Sequence, residues 1–238
     1  MVRSVFVSDI HLSAGDAAVA RCFFRFLDTL EADSLYILGD LFDAWAGDDD
    51  LGDPFVAQAV SALGRVSDSG ISLHIMAGNR DFLAGERFYA ACGAEPLPDP
   101  VVRRIQGWQV LLTHGDALCT SDLEYQAFRR EVRDPAWQRA FLSRPLGARK
   151  ALIAELRAKS EREKQEKSLA IMDVDEAAVA GLVTGRECDF LIHGHTHRPG
   201  RHRIGATACE RWVLGDWHAG GAVGLSLSPE GPELLEFE

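Results

Sequence analysis

Short apolar runs alternate with longer segments of helical periodicity in the first part of the chain. The runs at 5–7, 35–38 and 73–77 are almost entirely apolar, which predicts buried strands. Between the first two runs, from Val19 to Leu30, apolar residues recur every three or four positions, as in an amphipathic helix. Asp53-Pro54 is typical of an N-cap followed by a first helical residue, so a second helix is predicted from there. The chain is therefore expected to begin as a βαβ unit.

Turn residues and periodicity predict the next elements. A short helix is expected to end at Gly93, and the proline-rich stretch 96–100 is expected to be a loop. Residues 101–105 and 109–113 are predicted to pair as strands on either side of Gly107. We predict that the second of these strands ends immediately before His114.

The remaining part of the chain is first helical and then extended. From about 121 to 168 the pattern is helical, with breaks at Pro135 and Pro145, and Asp173-x-x-Glu176 is a capping-box pattern for a helix ending at Gly185. Later strands are predicted at about 188–193, 201–204, 211–214, 222–227 and 233–237, the last four forming a second, mostly antiparallel sheet. We predict one α/β domain over residues 1–238, a two-sheet β-sandwich flanked by helices, with a helical lid insertion at about 121–168.

Composition agrees with a cytosolic globular protein. The chain has 238 residues, of which 47% are hydrophobic, enough for a sizeable core. No signal segment precedes the first strand, and no apolar stretch approaches the ~18 residues of a membrane span, so the protein is expected to remain in the cytosol. The 5 cysteines include no Cys-x-x-Cys pair, and we expect them to be reduced and packed.

Charge is distributed unevenly. The net charge of -11 argues against general nucleic-acid binding, which requires clustered Lys and Arg. Residues 129–167 nevertheless carry twelve Lys and Arg against six Asp and Glu, a balance of +6 that leaves −17 for the rest of the chain. This basic segment is either a solvated helical face or a surface that contacts an anionic ligand or membrane.

Five of the predicted strands end on residues that bind metal ions. Each residue alone would more often be a cap, a turn residue or a surface residue, but together they offer oxygen and nitrogen ligands without sulfur. The set is Asp9, His11, Asp40, Asn79, His114, His195 and His197. Seven ligands exceed one tetrahedral zinc site and suit two divalent ions.

We expect Asp40 to bridge the two ions, because a carboxylate can hold two cations about 3.5–4 Å apart and leave between them a water of lowered pKa. Such a water is the nucleophile for in-line attack at phosphorus, which predicts hydrolysis of phosphate esters or anhydrides. The remaining histidines are explained by packing or solvent and are not assigned as ligands: His74, His193, His202 and His218.

The ordered motifs Asp-x-His, Gly-Asp, Gly-Asn-Arg-Asp, His-Gly-Asp and Gly-His-Thr-His resemble those of the calcineurin-like metallophosphoesterases. Longer matches, end to end along the chain, resemble the UDP-2,3-diacylglucosamine hydrolase family of lipid A synthesis. They include Ser8-Asp9-Ile10-His11-Leu12, Gly39-Asp40-Leu41-Phe42-Asp43-Ala44-Trp45, Gly78-Asn79-Arg80-Asp81-Phe82-Leu83 and Lys167-Ser168-Leu169-Ala170-Ile171-Met172-Asp173-Val174.

The resemblance implies a manganese-dependent diphosphatase that converts UDP-2,3-diacylglucosamine to UMP and 2,3-diacylglucosamine 1-phosphate, or lipid X. It implies action at the cytoplasmic face of a Gram-negative inner membrane, with peripheral attachment. The family's metal ligands fall on the seven residues above. Its substrate contacts fall on Asn79, Arg80, Asp122, Ser160, Lys164, Lys167 and His195, and the catalytic roles on Asp40, Asn79, Arg80 and His114.

The residues themselves support part of this assignment. Arg157, Ser160, Lys164 and Lys167 follow the spacing i, i+3, i+7, i+10, so one helical face could present a polar stripe to a diphosphate, although a solvated stripe explains the spacing as well. Arg80 stands where many superfamily members carry a histidine general acid. Because a phosphate leaving group needs little protonation, we expect Arg80 to act as a charge clamp.

Ten apolar residues could line an acyl-chain cavity, or could simply be core: Trp45, Phe82, Tyr125, Phe128, Trp137, Phe141, Leu142, Leu152, Ile153 and Leu156. Two other functions use the same fold. One is a soluble nucleotide or dinucleotide pyrophosphatase, which the same metal site could serve. The other is a non-catalytic scaffold, which ranks lower because such relatives typically lose ligands and this chain keeps all seven.

Overall fold

The computed structural model describes residues 3–166 and 173–237. The strands of these ranges are, in chain order, β1 Ser4–Val7, β2 Ser34–Leu38, β3 Ser72–Met76, β4 Glu95–Leu97, β5 Val101–Ile105, β6 Trp108–Leu112, β7 Phe190–His193, β8 Gly200–Arg203, β9 Glu210–Val213, β10 Trp217–His218, β11 Gly221–Ser228 and β12 Gly231–Phe237. The α-helices are α1 Ala17–Asp28, α2 Pro54–Asp68, α3 Glu86–Cys92, α4 Leu123–Val132, α5 Pro135–Leu142, α6 Leu146–Glu166 and α7 Glu176–Val183.

Two sheets form the centre of the protein. The first has the order β10-β11-β1-β2-β3-β4, with β12 paired to β11, and β1 to β4 run parallel. The second has the order β5-β6-β7-β9-β8, in which β6, β7 and β9 run parallel. The carboxyl ends of β1, β2 and β3 therefore meet at one edge of the first sheet, and those of β6 and β7 at one edge of the second.

The predicted two-sheet α/β fold is confirmed, but the predicted grouping of the late strands is wrong. Strands β8 and β9 join the second sheet, whereas β11 and β12 complete the first sheet, with β11 antiparallel to β1. The four residues of β1 are all buried, so both of its hydrogen-bonding edges need a partner, and β2 covers only one of them.

Alternation along the strands separates three apolar layers. Phe6 of β1 packs between the two sheets with residues such as Leu112 and Ile192, whereas Val5 and Val7 face α1 and α2. On the outer side of the second sheet, Leu191 packs against α7. Successive side chains of a strand point to opposite faces, so each strand contributes to two layers.

The helix boundaries follow their predicted signals with one exception. Asp53 caps α2 ahead of Pro54, and Gly93 ends α3 with a φ of 65°. The predicted capping box of α7 is wrong, because the N-cap is Asp175, whose side chain accepts from the amides of Ala177 and Ala178. Asp173 instead pairs with Arg198.

Two smaller expectations also need correction. Part of the stretch expected to be a loop, at 96–100, belongs to β4, which pairs with β3. Cys188 and Cys209, with Cα atoms 5.6 Å apart, are disulfide-bonded, so the expectation of five reduced cysteines is wrong for this pair. Cys22, Cys92 and Cys119 are buried and are not disulfide-bonded, as expected.

Helices α4, α5 and α6 occupy the segment predicted to be a helical lid. Basic residues of α6 pair with the acidic stretch that follows β2: Arg149 with Asp49, Lys150 with Asp50 at 2.7 Å, and Arg157 with Asp43. Part of the positive charge of this segment is therefore used against the acidic remainder of the chain. Over the described ranges, no helix has both the length and the apolar character of a membrane span.

Candidate metal centre

The seven predicted ligands lie at the carboxyl ends of five strands whose exit loops are hydrogen-bonded to one another. The His11 amide donates to the Asp40 carbonyl at 2.9 Å, and the Gly194 amide donates to the His114 carbonyl at 3.0 Å. The two sheets are joined where the His195 amide donates to the Asp9 carboxylate at 2.7 Å. The strand ends are thus fixed to one another by backbone contacts before any ligand is considered.

Backbone strain is concentrated at these positions. Of the six non-glycine residues with positive φ among those described, five are predicted ligands: Asp9, His11, Asp40, His195 and His197. Left-handed φ values are uncommon outside glycine, and such strain clusters at functional sites. The sixth residue, Gln106, lies in the β5–β6 turn.

Two glycines permit the close approach of the loops. A Cβ at Gly39 would lie 2.5 Å from His114 Nδ1, and the φ of Gly39 is 94°. A Cβ at Gly194 would come under 3.0 Å from the side chains of Ser8 and Asp9. The Gly-Asp and Gly-His-Thr-His motifs therefore need glycine because another strand end occupies the space of a side chain.

One side of the centre is formed by Asp9, His11 and His197. Asp9 Oδ1 lies 3.4 Å from His197 Nε2 and 4.0 Å from His11 Nε2. Asp9 Oδ1 and His11 Nδ1 are buried and have no hydrogen-bond partner in the part of the chain that is described. Buried polar atoms are costly when unpaired, so this cluster has the features of a cation site.

The other side contains Asp40, Asn79, His114 and His195. His114 Nδ1 donates to the Leu38 carbonyl at 2.9 Å, which directs Nε2 toward Asn79 Oδ1 at 2.9 Å and Asp40 Oδ1 at 3.7 Å. A backbone carbonyl that accepts from the far ring nitrogen commonly fixes a metal-binding imidazole in this way. The rings of His114 and His195 are 5.1 Å apart.

Asp40 lies between the two sides. Its Oδ2 is 3.9 Å from His11 Nδ1, while its Oδ1 is 3.7 Å from His114 Nε2. Among the described residues, two groups have ligand atoms close enough together to hold an ion, Asp9-His11-His197 and Asp9-Asp40-His114, and these groups share Asp9. The position of Asp40 fits the predicted bridge, which itself stays a prediction.

Burial and charge shift the titration of the cluster. Burial raises the pKa of Asp40 to about 7, whereas the imidazoles of His197 and His114 hold the pKa of Asp9 below its usual range in spite of burial. Burial also opposes protonation of His114, but Asp40, Asp9 and Asp116 together raise its pKa to about 9.

The pKa values of His195 and His197 shift in opposite directions. Burial lowers the pKa of His195 to about 3, while Asp216 and Asp9 overcome burial at His197 and raise its pKa to about 10. His114 and His197 therefore hold protons that divalent cations would displace on binding. Its donor set, without sulfur, fits two such cations.

Arg80 and Asp81 support the centre from the loop after β3. The Arg80 backbone amide donates to Asp40 Oδ1 at 2.8 Å, and Arg80 Nε of the side chain is 4.0 Å from Asp40 Oδ2. Asp81 accepts from the Gly78 amide at 2.7 Å and from the Leu41 amide at 2.8 Å. Asp81 therefore connects the loops that carry Asn79 and Asp40.

The predicted substrate residues lie at different distances from the centre. Asn79, Arg80 and His195 belong to it. Asp122 is the N-cap of α4 and accepts from the Tyr125 amide at 3.1 Å, and the Tyr125 ring lies 6.0 Å from that of His195. Ser160 is half-buried on α6, three residues after Arg157. The side chain of Lys164 and all of Lys167 lie outside the described residues.

The apolar candidates separate into core and surface. Trp45 and Phe141 are buried in the core, and Phe82, Trp137, Leu152 and Ile153 pack against it. Phe128 and Leu142 are exposed, and Leu156 is half-buried. The core interpretation holds for Trp45 and Phe141, whereas the exposed residues stay available for contact with lipid.

Two carboxylates near the centre were missed in the sequence. Asp216 Oδ2 lies 3.2 Å from His197 Nδ1, so it orients this imidazole from behind. Asp116 is fully buried beside His114. Gly215-Asp216 follows β9 much as Gly39-Asp40 follows β2, and this repetition could have identified Asp216. Asp116 belongs to the His-Gly-Asp motif already noted in the sequence, but only His114 of that motif was given a role.

Comparison with known proteins gives one family. The family model described as calcineurin-like phosphoesterase matches residues 2–199. A UDP-2,3-diacylglucosamine hydrolase of Aromatoleum aromaticum is 49% identical over 221 residues, covering 91% of this chain and 90% of the relative. Proteins of the same name from Escherichia coli and Serratia proteamaculans are 44% and 42% identical over 240 residues, with 99% of each chain covered.

Proposed function

Because the chain belongs to the calcineurin-like phosphoesterase family, we propose that it hydrolyses the diphosphate of UDP-2,3-diacylglucosamine, giving UMP and 2,3-diacylglucosamine 1-phosphate. The observation that carries this proposal is the 42–49% identity to hydrolases of that name, over nine-tenths or more of both chains. The reaction is a step of lipid A biosynthesis. The alternative function, a soluble nucleotide or dinucleotide pyrophosphatase, would use the same residues at the centre.

The proposed cofactor is a pair of divalent cations, with Mn²⁺ as the ion. Asp9, His11 and His197 would hold one ion, Asn79, His114 and His195 the other, and Asp40 both. When bound, the ions supply a water of lowered pKa and stabilise charge on the phosphoryl oxygens. Support comes from the oxygen and nitrogen donor set and from the buried, unpartnered atoms Asp9 Oδ1 and His11 Nδ1.

Other residues of the chain orient these ligands and would stabilise the negative charge on the phosphoryl oxygens. Leu38 and Asp216 fix the ring nitrogens of His114 and His197 that face away from the centre. Arg80 would clamp the phosphoryl oxygens as a fixed cation, because its guanidinium lies beside Asp40. Asp40, Asn79, Arg80 and His114 are the proposed catalytic residues.

The proposed substrate site extends from the centre to the helical lid at about 121–168, within a single domain of residues 1–238. Asp122 and Ser160 would contact the head group, together with Lys164 and Lys167. The contacts between the lid and the loops of the centre include Tyr125 beside His195, and Arg157 paired with Asp43. These contacts support a substrate site in which the lid contacts the substrate next to the metal centre.

Substrate selectivity tests the proposal. With detergent-solubilised UDP-2,3-diacylglucosamine, kcat/KM should exceed that for soluble dinucleotides by more than about 10²-fold, because even four buried methylene groups contribute about 0.8 kcal/mol each. The measurement is release of UMP, or of mononucleotide, under the same metal conditions. Equal or better turnover of the dinucleotides would instead support the soluble pyrophosphatase.

The proposed location is the cytoplasmic side of the inner membrane, with peripheral attachment through the lid. Support comes from the surface of the lid, where Leu123 is 76% exposed and Phe128 and Leu142 are also exposed. Arg139 and Arg144 are exposed nearby in the sequence. Apolar side chains combined with cations are a common membrane-binding combination.

Binding to anionic vesicles should therefore weaken with salt, since electrostatic contacts reach only about 10 Å at 0.1 M ionic strength. Co-sedimentation with vesicles of an anionic phospholipid, measured across a salt series, should show release of the protein. Replacing Arg139 and Arg144 with Gln should reduce both the binding and its salt dependence. If the binding does not change with salt concentration, apolar contacts rather than charge hold the protein on the vesicles.

A further inference from the structure

Asp116 is a buried carboxylate with no ligand role and no substrate role in the account above. It begins the short 3-10 turn after β6, two residues beyond His114, and its side chain is 0% exposed. Burying an ionised carboxylate is costly unless it is paired and hydrogen-bonded. Its partners therefore indicate what it does.

Those partners come from one face of α4. The Tyr125 hydroxyl and Arg129 Nε both donate to Asp116 Oδ2 at 2.7 Å, and Arg133 Nη2 lies 3.7 Å from the same oxygen. Gln126 Nε2 donates to the Asp116 carbonyl at 2.8 Å. Positions 125, 129 and 133, the last being the C-cap, recur at i, i+4 and i+8, so a single carboxylate pairs with three side chains from one stripe of the helix.

The same side chains also touch the metal centre. The Tyr125 ring is stacked 6.0 Å from the ring of His195, and Arg133 Nη2 donates to the Gly78 carbonyl at 2.9 Å, next to Asn79. Arg129 Nη2 lies 3.9 Å from Asp99, whose Oδ1 accepts from the His114 amide at 3.3 Å. The network thus joins the first helix of the lid to three of the strand-end loops.

We propose that Asp116 is a positioning residue that fixes α4 of the lid against the catalytic strand ends, and so sets how tightly the nucleotide-linked lipid is held. This inference rests on the proposed function. Because Asp122 caps the same helix, a displacement of α4 moves a proposed head-group contact while leaving the metal ligands on their strands. Loss of Asp116 should therefore weaken substrate binding more than it slows the chemical step.

The first test is kinetic. Asp116→Asn removes the charge that holds Arg129 and Arg133 but keeps the shape of the side chain. We expect KM for UDP-2,3-diacylglucosamine to rise about tenfold or more, since tenfold is the contribution of about one hydrogen bond to the head group. We expect kcat to change far less and bound Mn²⁺ to be retained. Tyr125→Phe, which removes one hydrogen bond and keeps the ring, should shift KM in the same direction. Glu131→Gln, an exposed carboxylate on the same helix, is the matched control and should change nothing.

The second test needs no substrate. Amide hydrogen exchange in Leu123–Val132 should be about tenfold faster in Asp116→Asn, with β1 to β3 unchanged, because local opening follows local contacts. Unchanged exchange and KM would overturn the inference, as would loss of Mn²⁺ with unchanged KM, or faster exchange throughout the fold. If the wild-type protein fails to cleave the lipid, the proposed function fails, whereas the exchange result still decides whether Asp116 anchors α4.

Discussion

Asp40→Ala should abolish hydrolysis of UDP-2,3-diacylglucosamine even with Mn²⁺ in excess, and His114→Ala should have the same effect. Asp40 is the one carboxylate that lies within 4 Å of an imidazole on each side of the centre, His11 and His114, among the residues the structure describes. The loss of activity should exceed the ~10- to 100-fold that follows removal of a residue that only orients a metal ligand, because Asp40 is itself a proposed ligand. The measurement is UMP release under single-turnover conditions.

The fold should survive the change, which separates a catalytic effect from an unfolding effect. Asp40 accepts one hydrogen bond from the Arg80 amide, and such a bond contributes about 1 kcal/mol to the free energy of unfolding. Circular dichroism and thermal unfolding should therefore be close to wild type. Asp68→Ala, an exposed carboxylate at the end of α2, provides a control with the same chemical change. Turnover retained by metal-replete Asp40→Ala would contradict the two-metal account.

Substitution of Arg80 should give the second large effect. It also tests whether the site needs a fixed charge or a proton donor. Arg80→Lys keeps the charge but loses the fork that matches two phosphoryl oxygens, so a substantial loss of kcat is expected. Arg80→Ala should be worse by a further factor of about 10 or more, within the range for lost transition-state donors. The shape of the pH–rate profile should not change, since a side chain that acts as a fixed charge transfers no proton in the reaction.

Arg80→His is the deciding variant for this residue. An imidazole can donate a proton, and it titrates near pH 6 to 7 when unperturbed. If the variant is slower than wild type at every pH, the charge-clamp role stands. A faster variant with a new limb in the pH–rate profile would show that protonation of the leaving group limits the reaction. The profile should be measured on kcat, so that it reports the enzyme–substrate complex.

The sequence predicted the central strands and the candidate centre because both depend on local patterns. Apolar runs ending in Gly-Asp, Gly-Asn or Gly-His identify parallel strands and their ligand-bearing exits without knowledge of the rest of the chain. The same is true of the helix start at Asp53, where proline follows an N-cap. Local signals of this kind do not require a partner to be identified.

Features that depend on distant pairing could not be predicted in this way. The strands at 222–227 and 233–237 are short segments rich in apolar residues, and nothing in their residues specifies that β11 pairs with β1 at the opposite end of the sequence. Asp173 and Asp175 both precede α7, and a salt bridge to Arg198 removes the first of them from the capping role. Competing partners, rather than propensity, decided both cases.

The net charge of residues 129–167 also could not predict what this segment contacts. The balance of +6 in the basic segment left open a solvated face, an anionic ligand and a membrane. Several of its cations pair with carboxylates of the core instead, among them Arg129 with Asp116 and Arg157 with Asp43. Net charge describes a surface only after internal pairs are identified, which requires the fold.

The central claim is that this chain is a metal-dependent diphosphatase acting on a nucleotide-linked lipid. The most direct measurement is UMP released from detergent-solubilised UDP-2,3-diacylglucosamine by protein treated with a chelator and then reconstituted with Mn²⁺. We expect no release after chelation, and restored release of UMP and diacylglucosamine 1-phosphate in equal amounts when Mn²⁺ is returned. UMP formed equally well without the metal, or no UMP with the metal bound, would contradict it.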